Sequence, residues 1–90
     1  MPFDWDEGNE EHVRESGVEP YEAEEAVLDP GRANTDGYNV GRERRWALLG
    51  ATEDGRRLFV VYTHRRDLVR VISARDATPR EKRRYRKRGK

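Results

Sequence analysis

Apolar side chains are distributed unevenly along this chain. They form dense short runs over residues 46–72, are sparse among acids in residues 1–29, and almost vanish from residue 78 onward. Three β-rich segments lie in or beside the dense region: residues 45–51 (RWALLGA), 57–63 (RLFVVYT) and 68–74 (LVRVISA). The first two are separated by Glu53-Asp54-Gly55, an Asp-Gly turn signal, so they read as a hairpin. Residues 64–67 make a second polar connection, and the three segments together predict an antiparallel meander. The second and third runs are nearly continuous rather than alternating, which predicts cover on both faces of the sheet.

The flanks read as helices. Asp6 can cap a helix over residues 6–16 that Gly17 would stop, and Pro20 sits at the first turn of a second helix reaching Leu28. Their apolar faces are thin: Val13 in the first, and Tyr21, Ala23, Ala26 and Val27 in the second. Neither should persist without packing on the sheet, assisted by Phe3, Trp5 and Val18. Residues 30–43 are rich in Gly, Asn and Asp and read as a loop with a short edge strand around residues 38–40. Thr78-Pro79-Arg80-Glu81 combines a capping box with proline at the first helical position, which starts a C-terminal helix. The expected fold is a small α+β domain spanning residues 1–90. Its order is ααβββα, with an antiparallel sheet of three to four strands and a basic helix or tail from residue 78.

Charge changes this picture more than composition does. A net charge of +1 conceals eleven acids against one base in residues 1–29, and seven acids against eighteen bases in residues 30–90. From residue 78 onward, eight bases (Arg80, Lys82, Arg83, Arg84, Arg86, Lys87, Arg88 and Lys90) face one acid, Glu81. Such a run either pairs with the acidic N-terminal segment or binds a polyanion. The chain has no cysteine and two distant histidines, His12 and His64, so neither a metal nor another cofactor is expected. No apolar run reaches the roughly 18 residues that span a bilayer, and the acidic N-terminus lacks signal-peptide order. These features predict a cytoplasmic protein without membrane contact.

Several stretches also resemble one known family. They are Trp5-Asp6, Asn9 with His12, Gly17-Val18, residues 22–26 running into Leu28-Asp29-Pro30, Leu49-Gly50, and Gly55-Arg56-x-Leu58 followed by Val60-Val61-Tyr62. Above all there is the ordered set Arg70-x-Ile72-Ser73-Ala74-Arg75-x-Ala77-Thr78-x-x-Glu81-x-x-x-Tyr85. Together they are similar to the BrnT toxins. The resemblance implies a RelE-like fold and a small ribonuclease that arrests translation. It also implies a BrnA-like ribbon-helix-helix antitoxin as partner in a 2:2 complex, with operator DNA contacted through that antitoxin. Glu15-Ser16-Gly17 stands where many relatives carry Lys-His-Gly, and the basic tail is denser than the family pattern. The first departure, which removes a base and an imidazole from the N-terminal helix, keeps open a noncatalytic RNA- or protein-binding module on the same scaffold.

RNA cleavage without a metal requires deprotonation of the ribose 2′-OH, stabilisation of the pentavalent phosphate and protonation of the 5′-oxygen. Arginine suits the phosphate because its guanidinium stays charged and grips two oxygens. Arg70 and Arg75 are the candidates. A regular pleat would put them on opposite faces, so both serve one site only if a bulge or the strand's end turns Arg75 inward. His12 has the side chain best suited to proton transfer at neutral pH, whereas His64 is the weaker candidate. Glu81 is a candidate base that also has a structural role in the cap, and Tyr85, one turn on, either stacks on a base or packs the helix. Arg45, Arg80, Arg83, Arg84 and Lys87 are the candidates for holding the RNA backbone.

Overall fold

The computed structural model describes residues 2–87 and opens each helix at a sequence-encoded start. In α1 (Glu7–Glu15) the Asp6 carboxylate accepts from the Asn9 N–H at 3.1 Å while the Asp6 N–H donates to Asn9 Oδ1 at 2.8 Å. Two otherwise unpaired donors are thereby satisfied. The helix ends at Gly17, whose φ of +79° lies in the left-handed region. In α2 (Pro20–Leu28) proline occupies the first turn and the Glu22 carboxylate accepts from the Glu19 N–H. In α3 (Pro79–Lys87) Thr78 and Glu81 form the predicted box, with bonds of 2.8 and 3.2 Å. Arg88 and Lys90, the last two bases of the C-terminal run, lie outside the described residues.

The strands are β1 (Ala33–Asn34), β2 (Tyr38–Val40), β3 (Glu43–Ala51), β4 (Arg57–Arg65) and β5 (Leu68–Asp76). They form a five-stranded antiparallel sheet in the order β1-β3-β4-β5, with β2 also paired to β3. The architecture is α+β, with one more strand than the upper expectation because the two-residue β1 pairs with Leu48 and Leu49. The long strands also extend further than their apolar runs. Residues 64–67 are not a four-residue connection: β4 continues to Arg65, and a two-residue turn at Arg66 and Asp67, with φ values of 54° and 64°, leads directly into β5. These dihedrals match the hairpin turn whose twist suits antiparallel strands, adopted here without glycine. Among the described residues no helix is long and apolar enough to cross a membrane.

The two faces of the sheet are covered differently. Leu48, Leu58, Val60, Val69, Val71 and Ala74 pack beneath α1 and α2, meeting Val13, Val18, Ala23, Ala26 and Val27. Gly50 allows α2 to approach so closely that a Cβ there would lie 2.1 Å from the Ala26 carbonyl oxygen. Arg56 fastens this side further, reaching Glu22 of α2 at 3.0 Å and Asp76 of β5 at 2.8 Å. On the opposite face α3 covers Leu49, with Ala77 and Tyr85 buried beside it and Phe59 and Ala51 half-buried around them.

The free edge of β5 is closed by the N-terminal segment. The Asp4 N–H donates to the Val69 carbonyl at 2.8 Å, and the Val69 N–H donates to the Pro2 carbonyl at 3.2 Å. The buried Asn9 amide then donates to the Asp4 and Val71 carbonyls, so the residue that caps α1 also ties that helix to the sheet.

Candidate functional site

The relative placement of the two strand arginines depends on one irregularity. Between Val61 and Tyr62 the β4–β5 register shifts: Val61 pairs with Ser73 but Tyr62 pairs with Val71, leaving Ile72 as the extra residue of a bulge. Arg70 is consequently opposite Thr63, and Arg75 is opposite Phe59. Thr63 and Phe59 share a face of β4, and directly paired residues share a face, so both arginines rise from the side of the sheet that carries α3. They stand about 13 Å apart along the sheet, the separation of their β4 partners Phe59 and Thr63, four residues at roughly 3.3 Å each.

Their partners give them different characters. Arg75 makes a two-pronged ion pair with Glu81, at 2.8 and 3.0 Å, and its guanidinium lies 4.4 Å from the Phe59 ring centre. Hydrogen bonding to Glu81 pushes the Arg75 pKa up, and the same bonds hold the Glu81 carboxyl below its ordinary range, with the Thr78 N–H adding to the effect. Glu81 is therefore both the cap of α3 and the carboxylate that orients Arg75. With a lowered pKa it is a weak proton acceptor near neutral pH. Arg75 nevertheless remains 46% exposed, so its charge is available to a ligand.

Arg70 is 18% exposed and held by two acids, Asp6 at 3.0 Å and Asp4 at 3.6 Å. Asp4 belongs to the segment beside β5 and Asp6 caps α1, so Arg70 joins the N-terminal segment to the helix start. Its Nη1 is buried without a hydrogen-bond partner among the described residues, the Asp4 contact being too long to count as one. His12 lies near it: both line a hollow of about 320 Å³ with Gly8, Asn9, Val71 and Ile72. The imidazole is exposed, 3.7 Å from the Glu15 carboxylate.

Tyr85 is buried, with its hydroxyl donating to Asp29 at 2.5 Å and its ring 6.0 Å from the Arg57 guanidinium. The same Asp29 oxygen accepts the Ala51 N–H, so one carboxylate links α2's end, β3 and α3. This placement seats the helix. Four of the five predicted backbone-holding residues are together: Arg80, Arg83, Arg84 and Lys87 line an open groove of about 530 Å³ with Ala33 and Asn34. Arg45 is apart from them, on β3, bound to Glu43 at 2.6 Å.

Sequence reading missed a third group. Trp46 and Tyr62 are cross-strand partners with ring centres 6.0 Å apart, and His64 lies edge-on to both at 5.1 and 5.8 Å. Burial pushes the Tyr62 hydroxyl pKa up, opposed by nearby Arg32. The i, i+2 spacing of Tyr62 and His64 was the available signal, since it places both on one face of a strand. Among the described residues no three His, Cys, Asp or Glu side chains gather as a metal set.

An ion-paired arginine on the same side of the sheet as an exposed basic groove suits a protein that handles phosphodiesters, and the sequence match gives that class a name. A model of the ribonuclease toxin BrnT, of type II toxin-antitoxin systems, matches residues 5–81, and the chain belongs to that family. The match ends at Glu81, so residues 82–87 of the basic helix lie beyond it. No curated protein matches the sequence. Membership of a type II toxin family implies an antitoxin partner and an RNA substrate.

Proposed function

We propose that this chain is a metal-independent endoribonuclease that cuts RNA to stop translation and growth, working in the cytoplasm as one RelE-like toxin domain. A BrnA-like ribbon-helix-helix antitoxin silences it in a 2:2 complex and supplies the contact to operator DNA. The observation that carries the reading is Arg75, fixed by Glu81 and Phe59 yet still open to a ligand, on the same side of the sheet as the basic helix.

In this reading Arg75 grips the scissile phosphate and stabilises its developing charge. Glu81 positions Arg75, and Tyr85 holds α3 where Arg80, Arg83, Arg84 and Lys87 neutralise the RNA backbone, with Arg45 extending the basic surface. Arg70 secures the N-terminal segment. His12 beside it is the proton-transfer candidate at the other end of β5. A noncatalytic RNA-binding module has one observation in its favour: no imidazole lies among the residues gathered around Arg75.

Induced expression of the wild type and of Arg75→Ala, with total RNA and growth followed over the first minutes, tests the proposal. Rapid arrest with new RNA ends is expected for the wild type, relieved by co-expression of the antitoxin. Arg75→Ala should keep its fold and lose arrest. Purified protein should cut equally well in a chelator. A fully toxic Arg75→Ala removes the site. RNA that is bound but never cut assigns the protein to binding alone.

A further inference from the structure

The Trp46, Tyr62 and His64 cluster lies toward the β4–β5 turn and has no part in the reading above. Two of its rings do some core work, since Trp46 and Tyr62 are half-buried and Tyr62 packs against the aliphatic core beneath α1 and α2. The surroundings are unlike those of rings that merely close a core. His64 is exposed, and beside it Arg42, Arg44, Arg65 and Trp46 line an open hollow of about 560 Å³. Arg32 lines a smaller adjoining hollow of about 140 Å³ with Tyr62 and His64. Glu43, the one acid lining the larger hollow, is engaged by Arg45 at 2.6 Å. Among the described residues Arg32, Arg42 and Arg44 have no carboxylate partner.

A second observation connects this cluster to the basic helix. Asn34, on edge strand β1, lines both the small hollow beside Tyr62 and His64 and the groove formed by Arg80, Arg83, Arg84 and Lys87. A strand lying on α3 can therefore cross β1 and meet the aromatic rings. Arg32 and Arg44 are hydrogen-bonded only to neutral acceptors, the Asp29 carbonyl and Asn39 Oδ1. Guanidiniums without a carboxylate partner around one exposed and two half-buried rings favour an aromatic anion chain over a peptide, because each nucleotide brings one phosphate and one π-face.

We propose that Trp46, Tyr62 and His64 form a nucleobase-binding subsite for single-stranded RNA, with flanking phosphates on Arg32 at one side and on Arg42 and Arg44 at the other. The proposal rests on the RNA-handling role above. It adds a base-reading element on the α1 and α2 face of the sheet, reached around the β1 edge from the groove on the α3 face, whose contacts are to the backbone. Base contacts and backbone contacts respond differently to substitution and to salt, which allows them to be separated.

The test compares binding of two short strands of equal length and charge, one of 2′-O-methyl nucleotides, which cannot be cut through the 2′-oxygen, and one abasic. The wild type should bind the base-bearing strand about tenfold more tightly, the size of one stacked base. His64→Ala should erase most of that preference and leave abasic binding unchanged, whereas Arg83→Gln with Arg84→Gln should weaken both strands alike. Trp46→Leu provides a second variant, with folding checked by circular dichroism. Equal affinity of the wild type for the two strands overturns the subsite. So does a preference that survives both His64→Ala and Trp46→Leu, and so does weakening of the antitoxin complex alone, which would make this a protein contact. A protein that cuts RNA without preferring bases loses the subsite and keeps the ribonuclease. One that prefers bases and never cuts loses the ribonuclease and keeps the subsite.

Discussion

Beneath α1 and α2 the sheet buries a cluster of eleven residues, whereas beneath α3 the buried cluster has three, Leu49, Ala77 and Tyr85. Full burial of a Val or Leu side chain stabilises by about 1.5–3 kcal/mol, so the first face holds its helices chiefly through apolar area. The second cannot. Tyr85 is the one buried residue of α3, and the helix relies on the Tyr85–Asp29 bond, the Thr78 cap and the Arg75–Glu81 pair. The acidic helices are thus built into the scaffold, while the basic helix is attached by a few polar contacts that leave its cationic side open. An element held in this way sits at the low end of local stability, where binding surfaces are commonly found.

The largest expected effect comes from breaking the aliphatic face. Gly50→Val would drive a side chain into the Ala26 backbone, with carbonyl oxygen and carbon at 2.1 and 2.7 Å from the new Cβ. No flexible side chain can yield there, so α2 must move off β3. We expect a loss of about 3 kcal/mol or more, the upper end of overpacking. The melting temperature followed by circular dichroism should fall by roughly 15 °C for a domain of this size. A shift of a degree or two would mean that α2 is more loosely seated than its packing implies.

A smaller effect, confined to the other face, is expected from Tyr85→Phe. The substitution keeps the buried ring and removes the hydroxyl that donates to Asp29, a bond to a charged acceptor worth about 1.5–3 kcal/mol. Amide exchange should accelerate through α3 and remain near wild type in β3 and β4. Equal acceleration in the sheet would show that α3 unfolds together with the core, and the contrast between the faces would fail.

What the sequence disclosed and what it hid divide along the range of the interactions. The Asp6 cap, the Thr78–Glu81 box and the Asp54-Gly55 turn act within a few residues, so their residue types announce them. The Arg66-Asp67 turn is equally local but lacks a glycine, and it was read as a longer connection. The Ile72 bulge exists only relative to β4, and β1 is strand only because it reaches Leu48 and Leu49. Tyr85 meets Asp29 across 56 residues. The site followed the same rule. Glu81 was legible as a cap because that role is local, whereas its grip on Arg75 needs the strand's end to lie beside the helix start. The stack of Trp46 on Tyr62 needs the hairpin register.

The smallest effect is electrostatic, and it separates the faces by their response to acid. Bonding to Arg75 holds the Glu81 pKa below its ordinary value of 4.5, so the folded form has the lower pKa. Its contribution is fully present above about pH 4.5 and is lost as pH falls through the depressed folded value. Arg75 is 46% exposed and solvent screens the pair, so the expected size is a few tenths of a kcal/mol. Other carboxylates titrate in the same range, Asp6 beside the Asn9 N–H and Asp76 beside Arg56 among them, and wild-type acid unfolding alone would mix them. Glu81→Gln isolates the contribution, because glutamine can still accept the Thr78 N–H and complete the cap. Urea unfolding of both proteins from pH 7 to pH 3 should give the wild type its small advantage at neutral pH and near-equality at the acid end. A difference that persists to pH 3 would assign the hold on α3 to the shape of the cap rather than to charge, and Arg75 would then be free to reorient when an anion arrives.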